Sequence, residues 1–109
     1  MIKHNFRRAN KYNVGPAANR TRDGIVFDSV KEANYYSQLA VLRQAGDVIL
    51  FLRQTPFHLP GNTRYVCDFV VFWASGEVEF VDVKGVKTPM YKTKKRMVED
   101  LYGIEITER

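Results

Sequence analysis

Periodicity first appears in the chain at residue 24, where Ile25, Val26 and Phe27 make a short apolar run that predicts a strand over 24–28. Ser29 follows, with Glu32 three positions on. That is the spacing of a capping box, in which the serine hydroxyl and the glutamate satisfy helix-end donors reciprocally. Ala33, Tyr36 and Ala40, with Tyr35, Leu39 and Leu42 beside them, draw a broad apolar helix face down to Gly46, a residue type that stops helices at positive φ. From Val48 the period shortens to that of a strand. Residues 48–52 and 55–59 read as two short strands or one bent strand, closed by Pro60-Gly61-Asn62. A long strand over 64–73 and another over 77–84 follow. Thr88-Pro89 then offers an N-cap with proline at the first helical position. This second helix runs to about residue 102, burying Tyr91, Met97, Val98 and Leu101 and exposing Lys92, Lys95 and Glu99. Gly103 ends it, and 104–107 is a last strand.

The expected fold class is therefore α/β, in the order helix-strand-strand-strand-helix-strand, with a mixed central sheet flanked by helices. Residues 1–23 show no period and are rich in Asn, Arg and Lys. They read as a basic extended arm, ordered by a partner, ahead of a domain over 24–109.

A chain of 109 residues supports one core, and a hydrophobic share of 45% places it with folded rather than disordered proteins. No apolar run is long enough to span a bilayer, and the N-terminus lacks the apolar core of a signal peptide. Cys67 is the only cysteine, so no internal disulfide forms and the Cys/His sets of zinc sites are missing. A cytoplasmic location is expected. The net charge of +5 is unevenly placed. Residues 1–22 hold six basic side chains and no acid, and so do residues 84–96, while 23–83 hold eight acids against four basic residues. Two basic blocks around an acidic middle fit a polyanion held at its backbone while carboxylates act between, although a solvated basic surface has the same composition.

The turn Ala74-Ser75-Gly76 gives those carboxylates a geometry. A three-residue hairpin loop takes a type I turn followed by a residue at positive φ, the position Gly76 occupies. Trp73 then faces Glu77, Phe72 faces Val78, Val70 faces Phe80 and Asp68 faces Asp82, with Lys84 opposite Val66 on the same side. Two carboxylates directly opposed in apolar strands repel and lose hydration. A shared proton, Lys84 or a divalent cation must compensate, and a hard ion with oxygen ligands such as Mg²⁺ fits best. A two-residue loop would put the aspartates on opposite faces and remove the site. Such a cation would bind a scissile phosphate and activate water, with Lys84 stabilising the developing charge. Glu32 is either a further ligand or only a helix cap.

Asp68, followed after a hairpin by Asp82-Val83-Lys84, resembles the signature of the PD-(D/E)XK nuclease superfamily. More closely, Lys11-Tyr12-Asn13, the run from Asp23 to Ser29, Lys31-Glu32-Ala33 and Asp82-Val83-Lys84-Gly85 resemble a family of small phage-encoded proteins catalogued as a domain of unknown function and assigned to that superfamily. The resemblance covers about residues 11–107. It implies a restriction-endonuclease-like core in which Asp68, Asp82 and the Val83 carbonyl ligate Mg²⁺ or Mn²⁺, Lys84 is the catalytic lysine and Glu32 the acid from the first helix. Cys67 stands where the superfamily usually has proline, and Asp82 where it more often has glutamate. The resemblance also implies a host-cell cytoplasm for a phage-encoded protein.

Lys87, Lys92, Lys95 and Arg96, together with Arg20 and Arg22 of the arm, read as phosphate contacts, and Gln54 as a substrate contact beside the site. His4 and His58 lack metal-binding spacing, and no glycine-rich phosphate loop or nucleotide cofactor is expected. The expected activity is Mg²⁺-dependent DNA endonuclease, first on branched DNA as a homodimer, as small members of the superfamily act. A nicking or processing nuclease on linear DNA or RNA is the alternative within that class. A non-catalytic nucleic-acid-binding protein is the alternative outside it.

Overall fold

Three strands followed by a second helix and a last strand need long-range pairing, and a computed structural model shows how residues 15–109 achieve it. The chain divides into two units, Met1–Val41 and Leu42–Arg109.

In the first unit, a 3-10 turn over Ala17–Arg20 leads into β1 (Thr21–Arg22), which pairs antiparallel with β2 (Ile25–Val26). Asp23 and Gly24 join them at φ 53° and 78°. Positive φ at both central residues is the hairpin turn whose twist matches its strands, and Asp-Gly is its common sequence. Residues 15–23 of the expected arm thus carry the 3-10 turn and first strand of this hairpin, and residues 1–14 lie outside the described residues. Two-residue strands carry too few positions to show a period. Arg20 secures the hairpin by donating to the carbonyls of Gly15 and Phe27, while Phe27 N–H returns a bond to the Arg20 carbonyl. The Phe27 ring packs 4.9 Å from Tyr36. Helix α1 (Val30–Ala45) starts where expected, with the Ser29 hydroxyl accepting from Glu32 N–H at 3.0 Å. Ala33 and Leu39 are fully buried along it.

The second unit holds a four-stranded sheet in the order β3 (Val48–Leu59), β4 (Thr63–Trp73), β5 (Val78–Asp82) and β6 (Ile106–Glu108). The first three are antiparallel, and β6 lies parallel to β5 after the crossover through α2 (Pro89–Tyr102), so the mixed α/β core is present. The 48–59 segment is one strand. Its ladder with β4 is interrupted where Gln54 stands opposite Asp68, and Gln54 takes φ 51°. Leu59, Tyr65 and Cys67 share a cluster with Val70, Val98 and Ile106, and Phe69 and Val71 are fully buried as well, so β4 is buried on both faces from Cys67 to Val71.

Helix α2 is capped as its sequence predicts. Thr88 Oγ1 accepts from Tyr91 N–H at 3.1 Å, and Gly103 closes the helix at φ 66°. Its burial is narrower than expected: Val98 is fully buried and Tyr91 half-buried, but Met97 and Leu101 are exposed. Glu99, expected outside, is half-buried and accepts from Ile106 N–H. β5 stops at Asp82 and β6 starts at Ile106, so the expected strands 77–84 and 104–107 are trimmed or shifted. No helix among the described residues is long and apolar enough to cross a membrane.

Candidate metal centre and nucleic-acid surface

The β4–β5 hairpin has the register that its glycine dictates. Gly76 sits at φ 98°, Trp73 N–H bonds to the Glu77 carbonyl, and Phe72 pairs with Val78, Val70 with Phe80 and Phe69 with Val81. The next opposed residues are Asp68 and Asp82, and there the main-chain ladder gives way to side chains. Asp82 Oδ1 accepts from Asp68 N–H at 2.9 Å, and Asp68 Oδ2 accepts from Val83 N–H at 2.9 Å. Each carboxylate thus stands in for a strand carbonyl as β5 departs from β4, and the donors partly offset the charge that burial would otherwise leave unsolvated. Asp68 is 5% exposed and Asp82 0%.

Asp82 Oδ2 is left buried without a hydrogen-bond donor. Burial raises the Asp82 pKa above the usual carboxylate value, against the opposing pull of Asp68 N–H and the Lys84 charge. The Tyr91 hydroxyl, which donates to Glu108 Oε2 at 2.9 Å, also lies close enough to Asp82 to lower its pKa. Glu108 stands next to Asp82 in the parallel β5–β6 register. Lys87 at 3.1 Å and Lys95 at 3.5 Å hold it ionised, with Lys87 the chief cause of its lowered pKa. Burial, with both carboxylates nearby, pushes the Tyr91 phenol up, so it stays a donor.

Lys84 lies just past the end of β5 rather than within it, a correction to its expected place opposite Val66. Its Nζ nevertheless comes to 3.9 Å from Asp68 Oδ2 and 5.3 Å from the centroid of the Tyr91 ring, with the side chain 30% exposed. A carboxylate on one side and an aromatic face on the other fix the ammonium while leaving it open to a ligand. Gln54 Nε2 approaches Asp68 Oδ1 at 3.5 Å. Cys67 is a core residue: its thiol donates to the carbonyls of Phe69 and Val81, and burial raises its pKa to about 11.

Asp68, Asp82, Val83, Lys84 and Gln54 therefore converge. Lys87 and Lys95 are drawn to Glu108, whereas Lys92 and Arg96 are exposed one helical turn apart on α2. Arg20 and Arg22 spend donors inside the first unit, Arg22 on Ser37 and Asn34. Glu32 is a buried acid in the first turn of α1, 2% exposed. Sequence reasoning had placed Tyr91 only in the core and gave Glu108 no role. The parallel register that brings Glu108 to Asp82 has no local sequence signal.

Among the described residues no three acidic, histidine or cysteine side chains are grouped closely enough to hold a metal ion. Any ion at the aspartates would need main-chain and water oxygens besides the two carboxylates, a donor set that suits Mg²⁺, which keeps several waters. The donorless Asp82 Oδ2 is consistent with such an ion. No curated protein and no solved structure matches the chain. The model of the family described as "Protein of unknown function (DUF1064)" matches residues 9–107, nearly the whole sequence, and the chain belongs to that family.

Proposed function

We propose that the chain is a Mg²⁺-dependent DNA endonuclease of the PD-(D/E)XK type, acting first on branched DNA. The observation that carries this reading is the pair of opposed buried aspartates, each accepting from the other strand's backbone, with one oxygen of Asp82 lacking a donor and Lys84 beside Asp68. Evolved only for stability, that position would favour apolar pairs, since buried carboxylates cost more than they return without strong compensation. A magnesium ion bound there supplies Lewis acidity for phosphodiester hydrolysis and lowers the pKa of a bound water.

The chain's own residues divide the work. Asp68 and Asp82, fixed by backbone donors, present the metal-facing oxygens. The Val83 carbonyl joins them on the strength of the sequence resemblance. Lys84, beside Asp68 and partly exposed, would offer a positive charge to a bound phosphate. Tyr91 positions that charge through its ring and, through its hydroxyl, Glu108. A catalytic role for Glu32 rests on the sequence resemblance alone.

The substrate is tested by incubating the protein with Mg²⁺ and, in parallel, a four-way junction, a matched linear duplex and a single-stranded RNA. Cleavage confined to the junction is expected. Equal cleavage of junction and duplex would make it a general nuclease. Binding without cleavage of any of the three, in Mg²⁺ or Mn²⁺, would leave a nucleic-acid-binding protein.

A further inference from the structure

The β3–β4 hairpin projects beyond the last β4–β5 pair, Phe69 with Val81. On this projection Pro56 pairs with Val66 and His58 with Arg64, and since alternate residues of paired strands share a face, these four line one side. Two side chains from α2 brace it. Lys94 Nζ donates to the Arg64 carbonyl at 3.4 Å, and the Tyr102 hydroxyl donates to the His58 carbonyl at 2.8 Å. His58, Asn62, Thr63, Arg64, Val66 and Lys94 line an open concavity of about 600 Å³, polar apart from Val66.

Its two cations are uncompensated: Lys84, Lys87, Lys95 and Arg109 each pair with an acid, whereas Arg64 and Lys94, like Lys92 and Arg96 on α2, have none within ion-pair distance among the described residues. No acidic side chain lines the concavity. A guanidinium and an ammonium held in one recess repel each other, and a bound anion relieves that repulsion. Openness to solvent suits an extended polymer better than an enclosed small molecule. Position along the strand narrows the choice of polyanion. Arg64 precedes Asp68 by four residues of β4, roughly 13 Å at a strand's rise, which is about four base-pair steps of a duplex.

We propose that this concavity is a phosphate-binding groove that holds the nucleic-acid backbone about four base-pair steps from the aspartates, with Arg64 and Lys94 as its charged contacts and His58 and Asn62 as further donors. The identity of the strand it holds rests on the endonuclease reading, but the groove is tested by binding alone. A short labelled DNA duplex is titrated in EDTA, where no metal-dependent cleavage occurs, over a series of salt concentrations. For the Arg64→Gln/Lys94→Gln variant, loss of two phosphate contacts should make the log K against log salt slope shallower by about 1.8. The charge-preserving Arg64→Lys/Lys94→Arg variant should keep the wild-type slope, which separates loss of charge from loss of structure. An unchanged slope in the glutamine variant overturns the proposal. So does unchanged DNA binding with lost binding to polyglutamate, which would make the groove an acidic-peptide site. A weakened slope in a protein that cleaves nothing would sustain the groove while removing the nuclease reading, and an unchanged slope in an active nuclease would do the reverse.

Discussion

Asp82 carries a conflict that can be measured without any substrate. Its carboxyl is fully buried, one oxygen lacks a donor, and burial holds its pKa above the ordinary value of 3.8. The unfolded chain releases the proton near that ordinary value, while the folded chain keeps it to higher pH. Between the two values the native state binds the extra proton, so stability falls as pH rises through the window and stays lower above it. In chelator, Asp82→Asn should remove this decline and raise Tm at pH 7, because the amide oxygen still accepts from Asp68 N–H and no buried charge remains. Added Mg²⁺ should raise the wild-type Tm and leave the variant unmoved. Differential scanning fluorimetry across pH checks both; a variant less stable than wild type at pH 7 would mean that the buried charge is already well compensated. At this scale much was legible in the sequence. A lone aspartate in each of two apolar strands and a glycine at the third loop position fixed the opposition of Asp68 and Asp82. Tyr91 and Glu108 were not legible as partners of that pair, since their approach depends on a parallel crossover that no spacing encodes.

At the scale of elements, the interruption between β3 and β4 does the positioning. Gln54, a non-glycine residue at φ 51°, lies opposite Asp68 where the ladder is interrupted, and its side-chain amide approaches that carboxylate at 3.5 Å. A residue with a Cβ in the left-handed region costs roughly 1–2 kcal/mol, and such strain gathers at functional sites. Gln54→Gly should stabilise the fold by about 1 kcal/mol in denaturant titration while lowering activity, as the amide that approaches Asp68 is lost. Lower stability would show that the contacts of Gln54 outweigh its backbone strain. The helices followed their capping signals, Ser29 for α1 and Thr88 with Gly103 for α2, because caps are local chemistry. The unexpected elements were those whose cause is not local. The β1–β2 hairpin is too short to show a period and depends on Arg20 bonds to Gly15 and Phe27. The even alternation assumed along 48–59 and 64–73 misses a paired break that side-chain period alone cannot reveal.

For the whole molecule, the charge distribution matters more than the sum of +5. Glu108 draws in Lys87 and Lys95, two of the cations that composition assigns to a phosphate surface. Glu108→Gln should release both, so that duplex binding in EDTA tightens and its salt slope steepens by about 1 to 2. Unchanged binding would place the nucleic acid away from this edge of the sheet. The central claim is that Asp68 and Asp82 form a hydrolytic metal site, and one comparison tests it most directly: cleavage of the preferred DNA in Mg²⁺ by wild type and by Asp82→Asn, each shown folded by its melting curve. Wild-type cleavage that chelator abolishes and the variant lacks, by at least about a hundredfold, or 2.7 kcal/mol in the barrier, is the predicted result. Equal cleavage by both proteins would contradict it.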